Sequence, residues 1–431
     1  MTGDESRGQI RPGRSRYPVT EYGADGDGEA DDTDAIQAAI DDAVNAGGGV
    51  VVVPGGNYRL TSRLELIDAR NVVLEGAGTA TVLYRDGSDG TVLSIDSSRN
   101  AAGQSGSAPG QRRSAHTLIR NLCIDRADEP TAESTGIHVV DAVHTTLQGL
   151  AVYNQGRGVV IGTEDSDGNV PEHTTIADST FEDGYTSQFG PNGYPDAVVK
   201  LHDSVHTALH NTFISPTNVG IDALGNSRHV SITQCILLHY DPDGAYNVRM
   251  TGTGYDRRIV NSVLENAPQG QIRLEGETSN VTFAGSWIGA GELPIDAPAR
   301  GIEISDGVSD VSIVDNRIGH QRREGLWIRG SNVTVANNVM VDNVFQPGIA
   351  DGTTDSVFIE DATHVTFVNN KVWSNWERHG VHITGETDAF SVTGNDLTEF
   401  WIDEAGGLVV DAEGCERSVE YNITPELTGI Q

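Results

Sequence analysis

Twelve times between Asn71 and Leu397 the chain repeats one nine-residue phrase: a polar residue, Val or Thr, an aliphatic residue two further on, then Asn, Ser or Gly, then another apolar residue. Clear copies are HTLIRNLCI from His116, HTTLQGLAV from His144, HTALHNTFI from His206 and HVTFVNNKV from His364. Successive starts lie 22 to 45 residues apart, the irregular period of stacked coils that carry loops of different length. Each coil holds a further run of alternating apolarity, such as GIHVV from Gly136, GIEIS from Gly301 and GVHIT from Gly380. Alternation over a few residues marks strands, and no helical period appears past residue 46. Two or three strands per coil, stacked coil on coil, predict an all-β chain: a single-domain parallel β-helix of about 11–12 coils. The expected division is an arm over 1–16, an N-terminal cap over 17–60, the solenoid over 61–414 and a C-terminal tail or cap over 415–431.

Charge indicates where such a solenoid works. There are 62 acidic and 28 basic residues, Lys occurs only at Lys200 and Lys371, and the net charge is -34. A charge of this size repels itself in dilute solution, but at molar salt the Debye length falls to about 3 Å and the repulsion is screened. The composition therefore reads as that of a halophile's protein, haloarchaeal by expectation. It excludes nucleic acid and anionic membranes as partners, since no basic stripe exists. Cys123, Cys235 and Cys415 have no paired metal-ligand spacing and read as small core residues. Residues 1–16, MTGDESRGQIRPGRSR, carry four Arg and no apolar stretch. No signal peptide and no membrane insertion are expected, which leaves the cytosol, or a virion surface or the extracellular space reached by lysis.

Tyr17 to Leu60, YPVTEYGADGDGEADDTDAIQAAIDDAVNAGGGVVVVPGGNYRL, resembles the opening of the pectate-lyase-like superfamily of right-handed parallel β-helices, which includes polygalacturonase-like enzymes and viral tailspikes. The residues agree with a lid over the first coil. Ile36, Ala39, Ile40, Ala43 and Val44 form one apolar stripe of a helix over about 33–46, with Asp32 or Thr33 as its cap. The acidic run Asp25–Asp32 reads as a turn and helix cap, with Ca2+ as the alternative; no other cofactor and no metal ligand set is predicted. The resemblance implies a right-handed solenoid and a polysaccharide or cell-surface glycan as partner; a homotrimer and virion attachment follow only by analogy with tailspikes. The Asn-Thr-Asp, Asp-Asp, Gly-His-Gly and Arg-Ile-Lys motifs of polygalacturonase-like enzymes are missing from the coils, with Arg378-His379-Gly380 a partial echo.

Two ladders read as structural. Asn121, Asn211, Asn261, Asn316, Asn338, Asn370 and Asn395 are expected to stack their amides. His116, His144, His173, His206 and His229 open five consecutive phrases and read as stacked turn residues, because no coil supplies further ligands at regular spacing. Asn280, Asn332 and Asn422 open sequons.

A third row bears on function. If the apolar residues of the second run point inward, the residues between them point out: His138, Val160, Lys200, Asp222, Arg249, Arg273, Glu303, Trp327, Phe358, His382 and Val409. Two residues further along lie His202, Glu275, Arg329 and Glu360. Mixed charge with aromatics on a rigid sheet suits a sugar polymer, so Lys200, Asp222, Arg249, Arg273, Trp327, Arg329, Phe358 and His382 are candidate substrate-binding residues. Glu275 and Glu303, at a diagonal of about 7 to 8 Å on adjacent coils, fit the spacing of an inverting glycosidase and are the candidate catalytic pair. A β-eliminating lyase would instead set Arg or Lys200 against a uronate carboxylate, and both chemistries fit the row. Insertions at Gly184–Pro195, His239–Tyr246, Ala290–Arg300 and Val344–Asp355, with Trp373 and Trp376, are expected to wall this face. Three functions follow: a virion spike of a halophilic system that binds host-surface polysaccharide, with or without trimming it, an exported polysaccharide lyase or inverting glycoside hydrolase, and a purely structural β-helix.

Overall fold

The computed structural model describes residues 15–98, 113–164, 170–182, 197–216, 218–239, 244–291, 297–344, 355–374, 379–400, 406–412 and 417–422. One coil shows how the sequence closes on itself. Val205–His210 lies in the first sheet, the chain bends at Asn211, Phe213–Ser215 lies in the second, and Val219–Leu224 in the third. His229 then returns the chain to the first sheet at Val230–Thr233. Stacking this unit gives three parallel sheets of 16, 14 and 13 strands among the described residues, so each coil has three strands and the stack is slightly taller than expected. The first strand, Arg16–Pro18, pairs with Val50–Val52, and Arg417–Glu420 pairs with Phe390–Thr393 at the other end.

Period-two alternation puts like residues on like in the interior. In the third sheet Val199, Ile221, Val248, Ile272, Ile302, Leu326, Val357 and Val381 follow one another in register. In the first sheet Ile232, Ile259, Phe283, Ile313, Val335 and Phe367 do the same. These columns belong to one continuous core that runs from Val19 to Ala412. Each such side chain contributes about 1.5–3 kcal/mol by burial, and no coil could bury its own without a neighbour.

The turn into the first sheet explains the phrase's opening residue. All twelve starts have a left-handed backbone, φ between 50° and 57°. Asn and Asp tolerate that conformation because their short side chains bond locally, and His is enriched there too; Ala389 adopts it with neither advantage. The repeat begins with a polar residue because the turn demands it.

The bend between the first and second sheets corrects the expected amide ladder, which is two columns. Asn121, Asn211 and Asn261 are exposed left-handed residues at the bend. Asn316, Asn338, Asn370 and Asn395 are the next residue along, buried, and joined by Asn422. Each Nδ2 donates to the next Oδ1, at 3.1, 3.0, 3.1 and 2.9 Å in turn. Asn422 is thus engaged in the ladder, while Asn280 and Asn332 are exposed.

At the N-terminal end α1 (Thr33–Asn45) buries Ile36, Ala39, Ile40 and Ala43 against the first coils. Its start differs from expectation: Asp32 stands at the cap position without capping the helix. Its buried carboxylate instead accepts the Asp25 and Gly26 N–H groups at 2.7 and 3.2 Å, while Asp31 accepts from Thr33. Asp27 accepts from Glu29 and Ala30, so three carboxylates of the acidic run tie its turn. Among the described residues no group of three or more metal-ligating side chains is gathered around one point. Cys123 and Cys235 are buried free thiols, and Cys415 lies outside the described residues.

The buried amide column gives a direct test. Asn370→Ala removes the partner of Asn338 and leaves the Val335 carbonyl without its donor, so it should lower unfolding free energy by about 2–4 kcal/mol. Asn261→Gly, at an exposed left-handed position, should change it by less than about 1 kcal/mol. Denaturant unfolding in high salt measures both, and equal effects would contradict the two-column description.

Candidate functional site

The outward row is in register through the third sheet. His138, Val160, Lys200, Asp222, Arg249 and Arg273 are Cα partners in succession, followed by Glu303, Trp327, Phe358, His382 and Val409. Three clusters lie along it. They are not open surface: Lys200, Asp222 and Glu303 are buried, and most of the others half-buried. The insertions expected to wall the row fall largely on residues 183–196, 240–243, 292–296 and 345–354, and Trp376 with them, outside the described residues.

The first cluster surrounds Lys200. Its Nζ lies 3.4 Å from Glu164 Oε1, and His202 Nε2 lies 3.7 Å from the same oxygen. Glu164 is mostly exposed, whereas both of these partners are almost covered. Two coils below, His138 Nε2 is 2.9 Å from the Gly162 carbonyl, and burial holds its imidazole below the usual pKa. One coil above Lys200 lies the buried Asp222, which Arg249 of the next coil grips with two bonds, Nε to Oδ1 at 3.0 Å and NH2 to Oδ2 at 2.5 Å. Asp222 serves Arg249 and holds it in place, as a carboxylate with both oxygens engaged does.

The second cluster centres on Arg273, which reaches both candidate catalytic acids. Its Nε donates to Glu275 Oε1 at 2.8 Å, and NH1 lies 3.9 Å from Glu303 Oε2. NH1 also donates to the Tyr246 hydroxyl at 2.6 Å. Arg300 approaches Glu303 from the other side at 3.8 Å and pairs with Glu324 at 2.7 Å. Glu275 and Glu303 are thereby brought to one shared guanidinium. Tyr246 and Arg300 open strands on either side of Gly270, where an added Cβ would meet the Tyr246 ring at 3.3 Å. Trp327 is covered rather than presented: the Arg300 and Arg329 guanidinium carbons stand 4.1 and 4.8 Å from its ring centre. Arg329 in turn lies 3.5 Å from Asp306.

The third cluster clamps His382. Nδ1 lies 2.8 Å from the buried Asp355 and Nε2 3.1 Å from Asp411. Both carboxylates favour the imidazolium, Asp355 most, so the pKa is raised above its usual value despite burial. Phe358 and His379 pack edge-on against the ring at 5.3 and 5.7 Å.

Glu164, Tyr246, Arg300, Glu324, Asp355 and Asp411 complete these clusters, yet strand alternation did not single them out. They come from turns and strand ends, beyond the reach of a period-two pattern.

The profile of rhamnogalacturonase A/epimerase, pectate lyase-like proteins matches residues 17–254, more than half of the chain. The chain belongs to this family. A right-handed β-helix profile matches residues 243–397. Relatives align over short stretches. Alginate lyase 7 of Azotobacter vinelandii is 46% identical over 91 residues, 20% of this chain and 11% of that protein. Mannuronan C5-epimerase AlgE4 of the same organism is 41% identical over 103 residues, 22% of this chain and 18% of that protein. The chain thus aligns with less than a fifth of either relative's length. Two solved structures share the fold over nearly the whole chain. The AlgE6 epimerase A-module of A. vinelandii has a TM-score of 0.61 at 17% identity, covering 96% of this chain and 100% of that one. The tailspike protein of E. coli bacteriophage HK620, in complex with pentasaccharide, has a TM-score of 0.65 at 14% identity, covering 92% and 78%.

His382 makes the pH dependence of stability testable. Its folded pKa is raised, so its clamp stabilises fully below the unfolded value of about 6.5 and is lost as pH rises through the folded value. The stability difference between wild type and His382→Asn, followed by chemical unfolding across this range, should be largest at the acidic end. A difference that grows with pH would contradict the clamp.

Proposed function

We propose that the protein binds an acidic polysaccharide along its third sheet and modifies it there by proton abstraction next to a uronate carboxylate, as a lyase or epimerase. The observation that carries this reading is the in-register row from Lys200 to His382, where Lys200, Arg249 and Arg273 outnumber Asp222 and Glu303 in a chain with 62 acidic and 28 basic residues. Fixed guanidinium and carboxylate groups supply the donors and acceptors that sugar hydroxyls and carboxylates need, without the entropy cost of ordering them on binding. Lys200, buried beside His202 and Glu164, is the group placed to neutralise a uronate carboxylate, which acidifies the adjacent C–H. The alignments with alginate lyase 7 and the mannuronan epimerases support the same chemistry.

Hydrolysis by Glu275 and Glu303 is the second reading, favoured by their adjacency at Arg273. An inverting hydrolase divides its carboxyls into a proton-bearing acid and a free base, whereas these two share a cation. The proposed setting is concentrated salt, in keeping with the net charge of -34, on the virion spike of a halophile's virus, in keeping with the tailspike-like fold. Exported enzyme is the alternative setting.

The test is incubation in about 2–3 M salt with alginate and with polygalacturonate, following unsaturated uronate absorbance, hydrogen exchange at C5 in D2O, and reducing ends. Unsaturation or exchange is expected, falling by about 10²–10³ in Lys200→Ala. Saturated reducing ends abolished by Glu303→Gln would establish the hydrolase instead, and retained binding without conversion would leave an adhesin.

A further inference from the structure

At the entrance to the first sheet, outside the third-sheet row, five histidines of consecutive coils stand one above another. His116, His144, His173 and His206 are exposed and His229 half-buried. Their ring centres are 4.8, 4.7, 4.5 and 4.5 Å apart in succession. Each Cα is fixed in the left-handed turn and by the sheet that follows, so only rotation about the side-chain bonds is left to the rings. The column ends at Tyr255, edge-on to His229 at 5.4 Å. His229 Nδ1 is 2.6 Å from Asp256 Oδ2. The flanking Glu172 is occupied by Arg113 at 2.8 Å.

We propose that this column binds borderline divalent transition metals, Zn2+, Ni2+ or Cu2+, each ion bridging imidazoles of neighbouring coils. Imidazole suits these metals, and with metal–nitrogen bonds of about 2.0–2.1 Å two ligating nitrogens stand at most about 4 Å apart. Ring centres 4.5–4.8 Å apart bring neighbouring imidazoles close to that separation, and rotation about the side-chain bonds turns their ring nitrogens to a common ion. No three ligand atoms converge beforehand among the described residues, so the ion gathers two imidazoles and completes its shell with water. Asp256 occupies Nδ1 of His229 and leaves Nε2 as its ligating nitrogen, the carboxylate–histidine arrangement that orients metal ligands. Molar salt screens ion pairs but leaves coordination bonds intact, so the site suits the chain's charge regime. Bridging ions would tie successive coils together at their turns and stabilise the folded solenoid by mass action.

The test is titration calorimetry of the full chain in high salt with Zn2+, Ni2+ and Cu2+, with Ca2+ and Mg2+ as hard-ion controls. The transition metals should bind and the hard ions should not. His173→Asn/His206→Asn keeps a residue that accepts the left-handed turn, and should weaken binding on the order of tenfold or more. His364→Asn, a lone histidine at the same turn position, should change nothing. Electron paramagnetic resonance of the wild type with Cu2+ should show coupling to two or more nitrogens, a readout independent of any variant's folding. Absence of binding, a single coupled nitrogen, or undiminished affinity in the double variant would overturn the proposal.

Discussion

Every feature of this solenoid depends on the chain returning, once per coil, to the same lateral position with the same residue parity. Parallel strand pairing tolerates loops of any length between strands but not a one-residue slip, which would turn the aliphatic columns outward and the charged row inward. The left-handed residue at the entrance to the first sheet enforces the return. Its φ is held between 50° and 57° in all twelve phrases while the distance between phrases varies twofold. The irregular lengths are absorbed in the loops, where the framework is indifferent to them.

Much of this was legible because stacking repeats chemistry as well as shape. Alternation located the third-sheet strands, and their outward residues could be written down coil by coil from parity alone. The amide column was half visible. Asn211 and Asn316 look equivalent in a phrase read by eye, yet one sits on the bend and the other just past it, where the side chain turns inward. A one-residue offset separates an exposed turn former from a buried hydrogen-bond ladder. The partners of the charged row were invisible for a different reason. Glu164, Arg300, Asp355 and Asp411 reach it from turns and strand ends, and such residues follow no period that would give their direction.

The charged row also differs in character from an open groove lined with free cations. Its guanidinium groups are already engaged, Arg249 with Asp222 and Arg273 with Glu275. Pairs this close, and partly shielded from water, keep their geometry in concentrated salt where longer-range attraction vanishes. On the proposed reading, a polysaccharide reaching them would meet an ordered array of donors and acceptors, and fit would select it more than net charge. Such recognition would hold in the concentrated salt proposed for the protein, where charge steering is weak.

The buried amides also make the two ends of the solenoid mechanically unequal. From Asn316 to Asn422 each coil is tied to the next by a side-chain bond and by a main-chain N–H to the same oxygen. Earlier at the same position, Cys235, Ser262 and Ser286 are linked by single bonds through hydroxyls or the Asn316 amide. Hydrogen bonds in series polarise one another, so the amide stretch resists opening as a unit, while the preceding coils can separate singly. Pulled along its axis, the rod would be stiff toward its C-terminal end and compliant toward its N-terminal one.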